Sequence, residues 1–132
     1  MQSISVDGIL NASGVTEIPV ASAAVVYTNS FKLDYASKFG LQYRATSDGA
    51  VSLKLELEEG NVLPATEGAA DDNFVVPDGG MTVVADITTE TVHIITLAPV
   101  VAKYGRFKIT GGVGNTATTT LALWLAKTED HG

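Results

Sequence analysis

The chain contains no cysteine, which excludes disulfides, a thiol nucleophile and any cysteine-ligated zinc or iron–sulfur centre. It is also poor in charge: 17% of its 132 residues are Asp, Glu, Lys or Arg, with 8 bases against 15 acids and a net charge of -7. A chain with that balance is repelled by nucleic acid and by anionic lipid unless its few bases cluster. No run approaches the roughly 18 uncharged apolar residues that a membrane-spanning helix requires. Low charge does not mean disorder here, because 45% of the residues are hydrophobic and mean hydropathy is +0.23. The length suits one domain with a real core and is short for two, so residues 1–132 are expected to form a single domain. Met1 to Gly8 has no basic segment leading into an apolar one, so folding in a cytoplasm is expected. The glycosylation triplet Asn11-Ala12-Ser13 is read as coincidence.

What is present is alternation. In Val51-Ser52-Leu53-Lys54-Leu55-Glu56-Leu57-Glu58 every odd position is apolar and every even one polar, the signature of a half-buried strand. Phe39, Leu41, Tyr43 and Ala45 alternate in the same way with Lys38, Gly40, Gln42 and Arg44. Thr46-Ser47-Asp48-Gly49 separates the two runs, and Asp-Gly predicts an antiparallel hairpin over residues 38–58. Further strands are expected at Thr16–Val20, Ala23–Tyr27, Phe31–Tyr35, Asn73–Val76, Met81–Ile87, Thr91–Leu97, Tyr104–Thr110 and Thr118–Lys127. Gly, Pro, Asn and Asp fill the spaces between them. The best helical segment, Pro99–Lys103, is about one turn long. Regularly spaced short strands point to an all-β protein, an antiparallel β-sandwich of jelly-roll type. Residues 58–73 break the rhythm; they are acidic, rich in Ala and Gly, and predict a long surface loop.

Residue types that carry chemistry are sparse. A Ser or Lys nucleophile needs a neighbouring base, and only His93 and His131 are available. His131 is penultimate; His93 falls on the strand face of Thr91 and Ile95, where a structural role is expected. No nucleophile elbow, zinc-protease motif or phosphate-binding loop accompanies either. Asp71, Asp72 and Asp78 have a hard-oxygen composition that could suit calcium, but their spacing does not match a calcium loop, and a solvated acidic loop is expected. Gly111-Gly112-Val113-Gly114-Asn115 lacks the following helix that a phosphate cradle needs, so it reads as a turn. The rings of Phe31 and Tyr35, and of Phe39 and Tyr43, have core spacing. The expectation is a protein that is not an enzyme and that uses no metal or cofactor. Lys103, Arg106 and Lys108 are the nearest approach to a basic patch, and they are expected to meet a partner's carboxylates.

The whole-chain pattern resembles small structural proteins of tailed-bacteriophage virions. The likeness lies in an N-terminal strand region, Phe39 to Ala45, Val51 to Glu56 with an acidic loop after it, Tyr104 to Gly111, and the Thr-rich closing run Thr118 to Leu125. The resemblance implies a β-sandwich repeated on a particle, assembled in a host cytoplasm, with no catalytic residues to transfer. An acidic subunit would be repelled from packaged DNA, which favours the outer surface of a head and a capsid decoration (cement) role beside the major capsid protein. The rival from a different class is a carbohydrate- or receptor-binding jelly roll of a fibre or tail.

The closing strand departs from alternation. Leu121, Leu123 and Leu125 take one face, Ala122, Trp124 and Ala126 the other, so both are apolar. A strand with one side in water should not look like that. Either the acidic loop or a neighbouring subunit is expected to cover the second face. The subunit is favoured, because Trp is enriched at buried interface centres and alanines allow close approach. That makes the chain a homo-oligomer, a trimer by analogy with virion proteins.

Overall fold

β-Branched and aromatic residues at alternate positions dictate strands, and the computed structural model has ten among its described residues. It describes residues 2–9, 11, 13–33, 36–47, 49–77, 82–87, 90–97 and 102–130. The strands are β1 (Gln2–Ile9), β2 (Ile18–Val20), β3 (Val25–Tyr27), β4 (Phe31–Lys32) and β5 (Ala36–Thr46), then β6 (Val51–Gly60), β7 (Thr82–Ile87), β8 (Glu90–Leu97), β9 (Tyr104–Gly111) and β10 (Thr119–Asp130). No helix occurs among the described residues, and Pro99 to Val101, the centre of the expected helical turn, lie outside them.

All pairings are antiparallel, in two sheets. The first runs β1-β10-β5-β8, with β2 also pairing β10; the second runs β3-β9-β6-β7, with β4 also pairing β9. When β1/β2 and β3/β4 are each taken as one broken strand, the orders become first-eighth-third-sixth and second-seventh-fourth-fifth. That is the double Greek key of a jelly roll. The antiparallel β-sandwich read from the sequence is therefore the observed architecture.

The inner faces meet in one core. Leu41, Tyr43 and Ala45 of β5 and Leu121, Leu123 and Leu125 of β10 face Leu53, Leu55 and Leu57 of β6 and Phe107 and Ile109 of β9. All are buried, and Leu55 is fully enclosed. Burial of Tyr43 pushes its hydroxyl pKa above the usual value. Phe31 packs on Phe107 with ring centroids 5.6 Å apart, and Leu33 is buried beside them; Tyr35 lies outside the described residues.

The expected hairpin is overturned. β5 pairs with β10 and β8 in the first sheet, and β6 with β7 and β9 in the second, so the chain crosses the core between them. Alternation is the same in both arrangements, because it records only that one face of each strand is buried. In a hairpin the apolar faces lie side by side; here they oppose each other across the sandwich. Gly49 N–H donates to the Ser47 hydroxyl in the connection, while Asp48 lies outside the described residues. Asn73–Val76 forms no strand; only Val75 pairs, in an isolated bridge to Glu59. β1, absent from the expected strand segments, pairs along β10 from Gln2–Asp130 to Ile9–Leu123.

Candidate docking surface

Each sheet has an outer face, and the two differ. On the second sheet, residues 61–75 cross back over β9 and β6 as a strap. Its start is fixed where Lys103 N–H donates to Asn61 Oδ1 at 3.0 Å, and its end where Glu59 and Val75 exchange backbone hydrogen bonds of 2.8 and 3.1 Å. Between these, Ser30 donates both its N–H and its hydroxyl to the Glu67 carboxylate. A Cβ at Gly60 would run into the Asn73 carbonyl oxygen, so β6 has a glycine where the strap returns.

Arg106 holds the strap down. Its position on β9 faces outward, in register with Glu58 of β6, yet its side chain is 0% exposed. Nε donates to Glu58 Oε1 at 2.8 Å, and Nη1 donates to the Ala69 carbonyl of the strap at 2.7 Å. The guanidinium lies between the rings of Tyr27 and Phe74, 4.3 and 4.7 Å from their centroids. A planar, weakly hydrated cation suits that enclosure; a lysine could not make the same set of contacts. The expectation of three partner-facing bases is corrected accordingly. Arg106 is consumed inside the molecule, Lys108 is half-buried opposite Glu56, and Lys103 alone of the three is exposed.

The acidic loop is likewise turned inward on itself. Asp71 accepts backbone N–H groups from Ala65 and Asn73, each at 2.9 Å. Those two bonds hold its carboxyl below the usual carboxylate range. Asp72 is exposed and Asp78 lies outside the described residues. Among the described residues no group of three or more His, Asp or Glu is arranged to hold a metal ion.

The outer face of the first sheet has no comparable strap among the described residues; the segment carrying Thr16 and Glu17 reaches it only beside Gly8 and Trp124. Registration places its side chains in rows across the strands. Gly8, Trp124, Gln42 and Ile94 form one row; Val6, Ala126, Gly40 and Thr96 form the next; Ala122, Arg44 and Val92 flank them. Ile4, Val6, Val92 and Ile94 are 73%, 61%, 50% and 75% exposed, and Ala122, Trp124 and Ala126 are half-buried. A large apolar residue standing alone in solvent is ordinary, but four around a tryptophan on one flat sheet make a patch. Lys38 and Arg44 are exposed at its two ends. Two shallow grooves cross it, of about 270 Å³ beside Glu17, Arg44 and Trp124, and about 290 Å³ beside Ile4, Gly40 and Ala126. Both fall below the usual size of small-molecule pockets, so the face suits a broad partner better than an enclosed ligand. The acidic strap covers the other sheet, so it is not what closes the second face of β10.

His93 lies on the edge strand β8, exposed, with its ring 5.5 Å from that of Tyr43. The glycine-rich segment after β9 is a turn with Gly114 at a φ of 90°, and Asn115 ties it to both backbone groups of Ser52 at 2.9 Å.

The fold defines an eight-stranded jelly-roll β-sandwich, a class shared by proteins of many functions. No known family matches the chain, and no curated protein matches it in sequence. Among solved structures it is similar to a chain of the infectious bursal disease virus Gx strain structure, at 11% identity and a TM-score of 0.46, over 100% of this chain and 34% of that one. It is also similar to a chain of the Gt strain structure, at 13% identity and a TM-score of 0.43, over 98% of this chain and 32% of the other. This chain thus spans about a third of the length of those viral chains. At that level of likeness no residue role or partner transfers.

Proposed function

We propose that this chain is a non-enzymatic virion structural protein, a capsid decoration or cement subunit that sits on the outside of a tailed-phage head. The observation that carries the reading is the largely uncovered outer face of the first sheet, with half-buried Trp124 and the exposed Ile4, Val6, Val92 and Ile94. Buried against a particle, such a face supplies an aromatic centre with small residues beside it, the anatomy of an interface core. The acidic strap lies on the opposite sheet, so the docking face carries few carboxylates, Glu17 beside Trp124 among them. The major capsid protein is the partner, and neither nucleic acid nor membrane is involved.

The test is cosedimentation of the purified chain with empty, expanded heads of the phage that encodes it. Saturable binding, lost in Trp124→Ala while the β-sheet circular dichroism persists, is the expected result. Absence of binding to heads would overturn the reading. One feature favours the rival: the groove beside Trp124 combines a ring with Glu17, Arg44 and the hydroxyl-bearing Thr16, Thr46 and Thr120, groups that can hold a sugar. Glycan-array binding abolished by Trp124→Ala, without head binding, would move the assignment to a carbohydrate-binding fibre or tail module.

A further inference from the structure

The two sides of the sandwich treat their sheet edges differently. On one side the edges are broken: β2 and β3 have three residues each and β4 two, and β2 contains Pro19. β1 is eight residues long, but it carries Asp7, opposite the buried Leu125, and then Gly8. Short strands, proline and charge are the devices that stop an edge from recruiting another strand. On the other side β7 and β8 close the two sheets, six and eight residues long, joined through residues 88–89 and unpaired on their outer edges among the described residues. The β8 run Thr91-Val92-His93-Ile94-Ile95-Thr96-Leu97 has no formal charge, no proline and no glycine. Its pairing to β5 runs without a register shift from Glu90 to Leu97, so no bulge twists it away. Half of its backbone N–H and C=O groups point outward, as in any edge strand.

We infer that this open side binds a second copy of the chain by antiparallel pairing of β8 with β8 of that copy. Self-pairing fits because the segment is uncharged: two chains of net charge -7 meet there with no like charges opposed between Thr91 and Leu97. The contact is isologous, since β8 finds an uncharged partner edge in its own counterpart, whereas the far side offers Asp7 on β1 and the short β2, β3 and β4. It therefore closes at two copies, in place of the trimer expected by analogy. Eight residues span about 27 Å, and two sheets about 10 Å apart double the width of the side, giving roughly 500 Å² of flat surface per copy. A standard interface buries about 800 Å² per partner, so the dimer is weak and depends on concentration. The inference rests on the assembly part of the proposed function and leaves the Trp124 face free for the particle.

The experiment is sedimentation of the full chain over a range of concentrations, with hydrogen exchange of β8 measured at each. The expected result is a monomer–dimer equilibrium in which alternate amides between Val92 and Leu97 become protected as dimer forms. His93→Lys puts a charge on the edge at an exposed position away from the Trp124 face, and should give monomer with unchanged circular dichroism and head binding. A chain that is monomeric throughout, a trimer, or a dimer whose β8 exchange does not change with concentration would overturn the inference. So would β8 protection that appears only on heads, which would make the partner strand the capsid's. Loss of head binding with the dimer intact would instead remove the proposed function and leave this contact standing.

Discussion

The outer faces of the two sheets differ in composition as well as in surroundings: β6 and β9 present Lys54, Glu56, Glu58, Arg106 and Lys108, whereas β1, β10 and β8 present Ile4, Val6, Trp124, Val92 and Ile94. On the second sheet, residues 61–75 lie over β6 and β9, and an arginine is enclosed between two rings, a carboxylate and a strap carbonyl. On the first, Trp124 is half-buried and four large aliphatic residues stand in solvent. One face is closed by the chain itself, and the other has no such closure among the described residues. The difference teaches that the chain closes its charged face with its own polar contacts, through Glu58, Arg106 and the Ala69 carbonyl, and puts no such closure on its apolar face among the described residues.

The strongest way to break the comparison is to uncover the covered face. Arg106→Ala leaves Glu58 enclosed without its cation and removes the stacking between Tyr27 and Phe74, and should cost about 3–5 kcal/mol. Urea unfolding measures the loss, and limited proteolysis should find new cleavage within residues 61–75. An unchanged midpoint with an intact strap would show that the guanidinium does not hold it.

Next in size is the shared core beneath both faces. Leu55→Ala should cost about 2–5 kcal/mol, whereas the exposed Lys54→Ala should be nearly silent, its ion pair with Glu56 being long at 3.6 Å. Equal shifts in the melting midpoint would mean that β6 is in the wrong register.

On the less covered face, Trp124→Ala should cost the isolated monomer only about 1–2 kcal/mol, since the residue is only half-buried. Docking is where the larger loss should fall. Tryptophan emission should shift to the blue when wild type binds its partner; emission that stays solvent-like in the bound state would remove Trp124 from the interface.

The smallest effect concerns acid. The Asp71 carboxyl is held below its ordinary pKa by the N–H groups of Ala65 and Asn73. Its contribution to strap stability is complete above the unfolded value, near 4, and is lost as pH falls through the lower folded value. Strap amides should therefore exchange faster as pH is lowered past that window, after correction for intrinsic rates. Asp71→Asn should show the looser strap at neutral pH and little further change on acidification.

Strand positions were legible because alternation is local. Val51 to Leu57, Phe39 to Ala45 and Leu121 to Leu125 each bury the face that their spacing marks, and the apolar second face of β10 is also plain in the sequence. The hairpin was misread for the same reason, since alternation specifies a buried face and not the neighbour that shares its hydrogen bonds. Arg106 differs from the expectation because its environment comes from distant parts of the chain: Glu58 and Ala69, 48 and 37 positions earlier, by hydrogen bond, and the ring of Phe74. Nothing in Arg-Phe-Lys marks such enclosure.

By itself, then, the sequence determined that the chain is all-β, that one face of each long strand is buried, that no cysteine chemistry operates, and that β10 carries an apolar surface on both sides. Those properties follow from composition and from period two, which any stretch of chain expresses without its neighbours. Only the tertiary structure decided which strands share a sheet, that β5 and β6 oppose each other across the core, and that the acidic segment covers β9 instead of β10. These are contacts between distant parts of the chain, selected by how whole faces fit, and no local pattern encodes them.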